Sequence, residues 1–73
     1  MNKKDTEAIM DLAQQASIFK KSKNYRALGI CYNNIANLQF KIQQYTEAEM
    51  YFNKALKYVN LILEDLYEKG INA

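Results

Sequence analysis

The 73-residue sequence contains no histidine, no tryptophan and no proline, and it has only one cysteine and two glycines. Without histidine, the chain lacks the commonest general base and the commonest metal ligand. A single cysteine, Cys31, cannot form an internal disulfide or any of the usual zinc sites built from cysteine and histidine. The sequence also has no glycine-rich phosphate-binding loop. We therefore predict a protein that is not an enzyme and that holds no cofactor and no metal ion.

A second group of absences concerns targeting and membranes. No stretch approaches the roughly 20 apolar residues that a membrane span requires. The first residues, MNKKD, are not followed by the apolar segment of a signal peptide. The formal net charge of +2 is too small to indicate binding to nucleic acid or to a membrane surface. We expect a cytoplasmic, intracellular protein whose partner is a protein or a peptide.

What the sequence does contain is helical periodicity. Apolar residues make up 49% of the chain, which is enough for a folded core rather than disorder. They recur three and four positions apart, as one face of a helix requires, in three segments at about 6–22, 25–42 and 46–69. We predict a single all-α domain, 1–73, in which three helices pack antiparallel to their neighbours.

Local signals predict where these helices begin and end. Asn24 can cap the second helix, and Thr46 can cap the third, with Glu49 completing a capping box. Thr6 is expected to open the first helix. The apolar stripe of the third helix is uninterrupted before Gly70, so we expect one continuous helix to about residue 69.

The start of the first helix is repeated 40 residues later. The five residues from Thr6 read TEAIM and the five from Thr46 read TEAEM, so four of the five positions are identical. The apolar residues that follow also pair at this spacing: Leu12, Ala16, Ile18 and Phe19 with Phe52, Leu56, Tyr58 and Val59. A repeated helix start with a repeated apolar stripe is typical of a solenoid, in which similar helical units stack.

Residues 25–56 resemble a tetratricopeptide repeat (TPR), in particular the longer variants of about 40 residues. The second-helix motif of the family is matched by Ala48, Phe52 and Ala55. The places of Trp, Leu and Gly in its first helix are taken by Tyr32, Ile35 and Ala36. This register departs from the family pattern at two positions, with Gln39 in place of Tyr and Asn60 in place of Pro. A second register also fits the first helix, through Tyr25, Leu28, Gly29 and Tyr32.

The resemblance implies a fragment of a TPR-like solenoid with the helix order B–A–B. The first helix would be the second helix of an incomplete repeat, and the other two would form one full hairpin with Phe52 in its core. In this family the first helix of each repeat lines a concave groove. Asn33 and Asn37 share one face of that helix, and their amides can donate to and accept from a peptide backbone. The predicted peptide-binding residues are Asn33, Asn37, Ile30, Phe40 and Lys41.

We therefore expect a protein–protein interaction module that binds a peptide or a helix. The alternative is a structural self-assembly element that forms a homo-oligomer or joins a longer repeat array through open apolar faces. About three repeats are normally needed to bury those faces, and this chain has about one and a half. The residues predicted to stay uncovered and to form an oligomer interface are Tyr58, Leu61, Leu63 and Tyr67.

Overall fold

The computed structural model describes residues 3–69, which form three α-helices and no strand. The helices are α1 (Lys3–Lys21), α2 (Tyr25–Lys41) and α3 (Tyr45–Glu68). The predicted all-α fold of three helices is confirmed, and the predicted bounds agree within three residues. The third helix is continuous, as its uninterrupted apolar stripe predicted. The predicted stop at Gly70 lies outside the described residues.

Both connections between helices have the same backbone geometry. Lys23 and Gln43 adopt left-handed conformations, with φ of 59° and 68°. The N–H of the residue after each of them donates to a carbonyl five positions earlier, at 2.9 Å after α1 and at 2.8 Å after α2. These are Schellman motifs, which satisfy the last carbonyls of one helix and turn the chain sharply into the next.

α2 begins where predicted, whereas α1 and α3 both begin earlier than predicted. Asn24 caps α2 as predicted, since its side-chain oxygen accepts a hydrogen bond from the N–H of Ala27 at 3.3 Å. The capping box predicted at Thr46 does not set the start of α3, which begins at Tyr45 after Gln44, a residue without a side-chain cap bond. The tight turn before Gln44 fixes where the chain re-enters a helix, so Thr46 falls inside the first turn. α1 likewise begins three residues before its predicted start.

α2 lies between α1 and α3 and runs antiparallel to both. The start of α2 meets the far half of α3, where the rings of Tyr25 and Tyr58 stack with centroids 5.4 Å apart. The end of α2 meets the start of α1, where the Nζ atom of Lys41 lies 3.5 Å from Oδ2 of Asp5. Each outer helix therefore has α2 on one side and is open on others.

The core is formed where α2 faces its two neighbours. Leu28 and Ile35 of α2 are the largest fully buried side chains among the described residues. Ala16 of α1 joins Leu28 and Cys31 in one cluster, against which Leu12, Phe19, Tyr32 and Tyr58 pack. Cys31 is a buried free thiol, and desolvation raises its pKa above the ordinary value, which disfavours the reactive thiolate.

The three helices form a flat layer. The Cα atoms extend over 48 × 23 × 14 Å, with a radius of gyration of 13.8 Å. A compact domain of this length would have a radius of gyration of about 11 Å. An arrangement this extended cannot enclose all of its apolar side chains, so much of the apolar surface of α3 is exposed.

Candidate interaction groove

An apolar groove with a volume of about 570 Å³ lies between α2 and α3. All of its lining residues belong to α2 and α3. The lining side chains from α3 are all apolar: Phe52, Ala55, Leu56, Val59, Ile62 and Leu63. The lining residues from α2 are Arg26, Gly29, Ile30 and Asn33. The groove is thus an apolar floor with two polar side chains on one edge.

α2 and α3 approach each other at Gly29, which lines the groove. A Cβ atom built on Gly29 would lie 3.6 Å from Cβ of Tyr58 and 3.8 Å from the carbonyl oxygen of Ala55. The two helices are therefore in close contact at Gly29. These separations are ordinary van der Waals distances, so a methyl group at this position would also fit.

The structure separates the five predicted peptide-binding residues into two groups. Ile30 and Asn33 line the groove. Asn37 is exposed but is not part of the groove lining. Phe40 packs edge-on against Tyr45, with ring centroids 5.1 Å apart. Lys41 turns toward α1 and pairs with a carboxylate there. Phe40 and Lys41 therefore do not line the groove with Asn33, and each has a local contact at the end of α2 instead.

The four predicted interface residues also separate. Leu61, Leu63 and Tyr67 are exposed on α3. Tyr58 is partly buried instead, since it packs on Tyr25 and on the core cluster. It therefore belongs to the hairpin contact and not to an uncovered surface.

Phe52 is a further correction. The TPR resemblance placed its ring in the hairpin core, but Phe52 is 37% exposed and lines the groove. The small residues Ala48 and Ala55 occupy the buried contact with α2 instead. With small side chains at that contact the helices pack closely, and Phe52 is left at the edge.

The opposite side of the α2–α3 hairpin is aromatic and closed. Tyr32 lies between Tyr51 and Tyr58, with ring centroids 5.6 Å and 5.8 Å apart. The ammonium group of Lys54 sits 4.7 Å from the ring centroid of Tyr51 and 5.7 Å from that of Tyr32, as in cation–π contacts. Desolvation, together with the neighbouring phenols and thiol, raises the pKa of Tyr32. This side is tied together internally, so it is a weaker candidate for binding than the groove.

The 40-residue repeat relates the groove to a contact that already exists inside the chain. Six residues of α1 are buried or half-buried, and they form its face toward α2: Asp5, Ala8, Ile9, Leu12, Ala16 and Phe19. Forty positions later stand Tyr45, Ala48, Glu49, Phe52, Leu56 and Val59. All of these except Ala48 are exposed, and the last three line the groove. The face with which α1 holds α2 is thus present again on α3, without a helix on it.

The residues of α3 that face α2 can be compared in the same way with their equivalents forty positions earlier, and the result is the opposite. α3 turns five residues toward α2: Ala48, Tyr51, Ala55, Tyr58 and Ile62. Their equivalents forty positions earlier are Ala8, Asp11, Gln15 and Ile18 in α1 and Ser22 just after it, of which all but Ala8 are exposed. Polar residues take three of these five places, although Ile18 on the same face is exposed. The exposed side of α3 is therefore more apolar than the corresponding side of α1.

A second, shallower depression adjoins the groove near the end of α3. It has a volume of about 440 Å³ and is lined by Asn60, Leu63, Glu64, Tyr67 and Glu68, all from α3. Because Leu63 is shared with the groove, the two surfaces form one continuous strip along the helix.

Comparisons of this chain with protein-family models, with curated proteins and with solved structures found no match. None of the described helices is long and apolar enough to cross a membrane. In residues 3–69, no three His, Cys, Asp or Glu side chains are close enough together to hold a metal ion. The described residues thus form a small all-α unit of three helices, and the apolar face of α3 beside the groove is uncovered.

Proposed function

We propose that this chain is a non-enzymatic, TPR-like protein–protein interaction module that receives an amphipathic helix in the groove between α2 and α3. One observation carries the proposal. Residues Phe52, Leu56 and Val59 line the groove, and their equivalents Leu12, Ala16 and Phe19 hold α2 against α1. A surface that binds a helix in one copy of the repeat is suited to bind a helix in the other.

The chemistry of the groove supports a helix rather than an extended peptide. Its floor is apolar, and an extended backbone would leave unpaired N–H and C=O groups there, each costing about 1–3 kcal/mol. A helix satisfies those groups internally and presents only side chains. Asn33 and Arg26 at the edge can bond to polar side chains of the bound helix. Asn37, outside the lining, is expected to contribute less than Asn33.

The test is direct binding of a helix that the repeat predicts to fit. A fluorescently labelled peptide with the sequence of residues 24–42, which contains α2, is titrated with the full chain and followed by anisotropy. We expect saturable binding that Leu56→Glu weakens by about tenfold or more, since burial of a leucine contributes about 1.5–3 kcal/mol. Asn33→Ala should weaken binding more than Asn37→Ala does.

The matched control is Ile18→Glu. Ile18 is an exposed apolar residue on α1, 64% accessible and outside the groove. Its replacement introduces the same charge as Leu56→Glu and should leave the affinity unchanged. Equal loss of binding in both variants, or no binding of the peptide by the unmodified chain, would contradict the proposed function.

A further inference from the structure

We propose that α1 is a detachable arm: it separates from α2 while α2 and α3 stay paired, and this opening uncovers the face of α2 that contains Cys31. Three features of the contact between α1 and α2 support this opening, and none of them involves the groove. They are the connection of α1 to the other helices, the side chains that α1 buries, and the position of its ion pair with α2.

In the described part of the chain, α1 has α2 as its only neighbouring helix. No Cα atom of α1 lies within 8 Å of a Cα atom of α3, whereas α2 is in contact with both helices. The connection from α1 to α2 is the short turn at residues 22–24. Separation of α1 therefore breaks a single helix–helix contact and leaves the α2–α3 hairpin intact.

The side chains that hold the two helix pairs together differ in kind. Every ring-to-ring contact among the described residues joins α2 to α3: Tyr25–Tyr58, Tyr32–Tyr51, Tyr32–Tyr58 and Phe40–Tyr45. In α1 the buried residues are Asp5 and Ala16, which are a charged residue and one with a small side chain. Aromatic pairs stabilise a contact beyond the area that they bury. α2 is also in more extensive contact with α3 than with α1, so the α1–α2 contact is the weaker of the two.

The ion pair between α1 and α2 lies at the edge of their contact. The Nζ atom of Lys41 is 3.5 Å from Oδ2 of Asp5, and the side chain of Lys41 is 64% exposed. Ion pairs with solvent-exposed partners contribute little to stability, because water screens the charges and the long side chain loses freedom. When α1 separates, water hydrates both charges, so this pair holds α1 only weakly.

The single cysteine of the chain can report this opening. Cys31 is buried in one cluster with Ala16 of α1 and Leu28 of α2. With α1 in place, burial shields the Sγ atom and raises the pKa of the thiol. In the open state the Cys31 thiolate can attack the disulfide of the reagent DTNB. It forms a mixed disulfide with one half of the reagent and releases the other half as a coloured thiolate.

Labelling of the full chain with DTNB, over urea concentrations below the unfolding transition, tests the proposal. We expect the free energy of opening at Cys31 to be smaller than the free energy of global unfolding. Its urea slope should be about half the global slope or less, because the slope scales with the surface exposed. Amide hydrogen exchange should give the same free energy for α1 and higher values for α2 and α3. Equal free energies and slopes for opening and for global unfolding would overturn the proposal.

A matched pair of variants separates the opening of α1 from a loss of overall stability. Leu12 packs on the core cluster from α1, and Ile62 is half-buried on the side of α3 that faces α2. Leu12→Ala should raise the rate of Cys31 labelling without urea by roughly tenfold or more. Ile62→Ala should lower the midpoint of global unfolding but change this rate by less than about twofold. Equal acceleration in both variants, or none in Leu12→Ala, would mean that Cys31 is reached only through global unfolding and would overturn the proposal.

Discussion

α1 and α3 carry similar apolar stripes 40 residues apart, but the stripe on α1 is buried and the stripe on α3 is exposed. On α1 the stripe is covered by α2, and Ala16 at its centre is only 3% exposed. On α3 the equivalent residue, Leu56, is 57% exposed beside an open groove. The comparison shows that an apolar pattern predicts which face of a helix needs a neighbour, whereas the order of helices along the chain decides which face obtains one.

The largest expected difference in stability is between replacing a buried leucine of the core and replacing an exposed leucine of the groove. Leu28 is fully buried between α1 and α3, so Leu28→Ala should lower the free energy of unfolding by about 2–5 kcal/mol. Leu56→Ala removes the same atoms from an open surface and should change it by no more than about 0.5 kcal/mol. Urea titrations of dilute samples measure both, since association would add a concentration-dependent contribution to the stability. Similar losses for the two variants would show that the groove is covered in the isolated chain.

A smaller change in the free energy of unfolding is expected when leucine, the residue at the exposed position 56 of α3, replaces Ala16 at the equivalent buried position of α1. Ala16 packs against Leu28 and Cys31, and no large side chain fits there without displacing α2. Ala16→Leu should therefore destabilise the protein by about 1–3 kcal/mol. Ala13→Leu, at an exposed position of the same helix, is the control for helix propensity. If Ala16→Leu proved as stable as Ala13→Leu, the α1–α2 contact would be looser than the structure indicates.

The smallest expected change in stability comes from replacing Gly29, which lies at the contact between α2 and α3. Gly29 has room for a methyl group at 3.6 Å from Cβ of Tyr58, and alanine is a better helix former. Gly29→Ala is expected to raise the free energy of unfolding by about 0.5–1 kcal/mol. Thermal and urea unfolding check this value. A loss of stability would mean that α2 and α3 must approach more closely than they do here.

Element type was predictable from the sequence, because the period of the apolar residues is a property of each segment alone. The three helices and the continuity of α3 followed from this period and from the absence of proline. The burial of Cys31 and the close approach at Gly29 were also predictable, since both residues stand on the inward face of α2. The TPR resemblance remains a prediction, as does the peptide-binding role of Asn33.

The details that were missed depend on contacts between segments. Phe52 was placed in the core by its motif, but small residues at the α2–α3 contact bring the helices together and leave its ring at the groove edge. Lys41 was assigned to the groove, yet Asp5 lies within reach only because α1 folds back against the end of α2. The start of α3 was placed at Thr46, although the left-handed residue Gln43 already turns the chain into the helix at Tyr45.

The sequence by itself thus determined that this protein is helical, where its three helices lie, and that two of them carry the same apolar stripe. Those properties follow from local periodicity and from the residues that break helices. Only the tertiary structure decided which copy of the stripe became core and which became a groove. The reason is physical: α2 can cover only one face of each neighbour, so α1 buries its stripe and α3 is left with its own exposed.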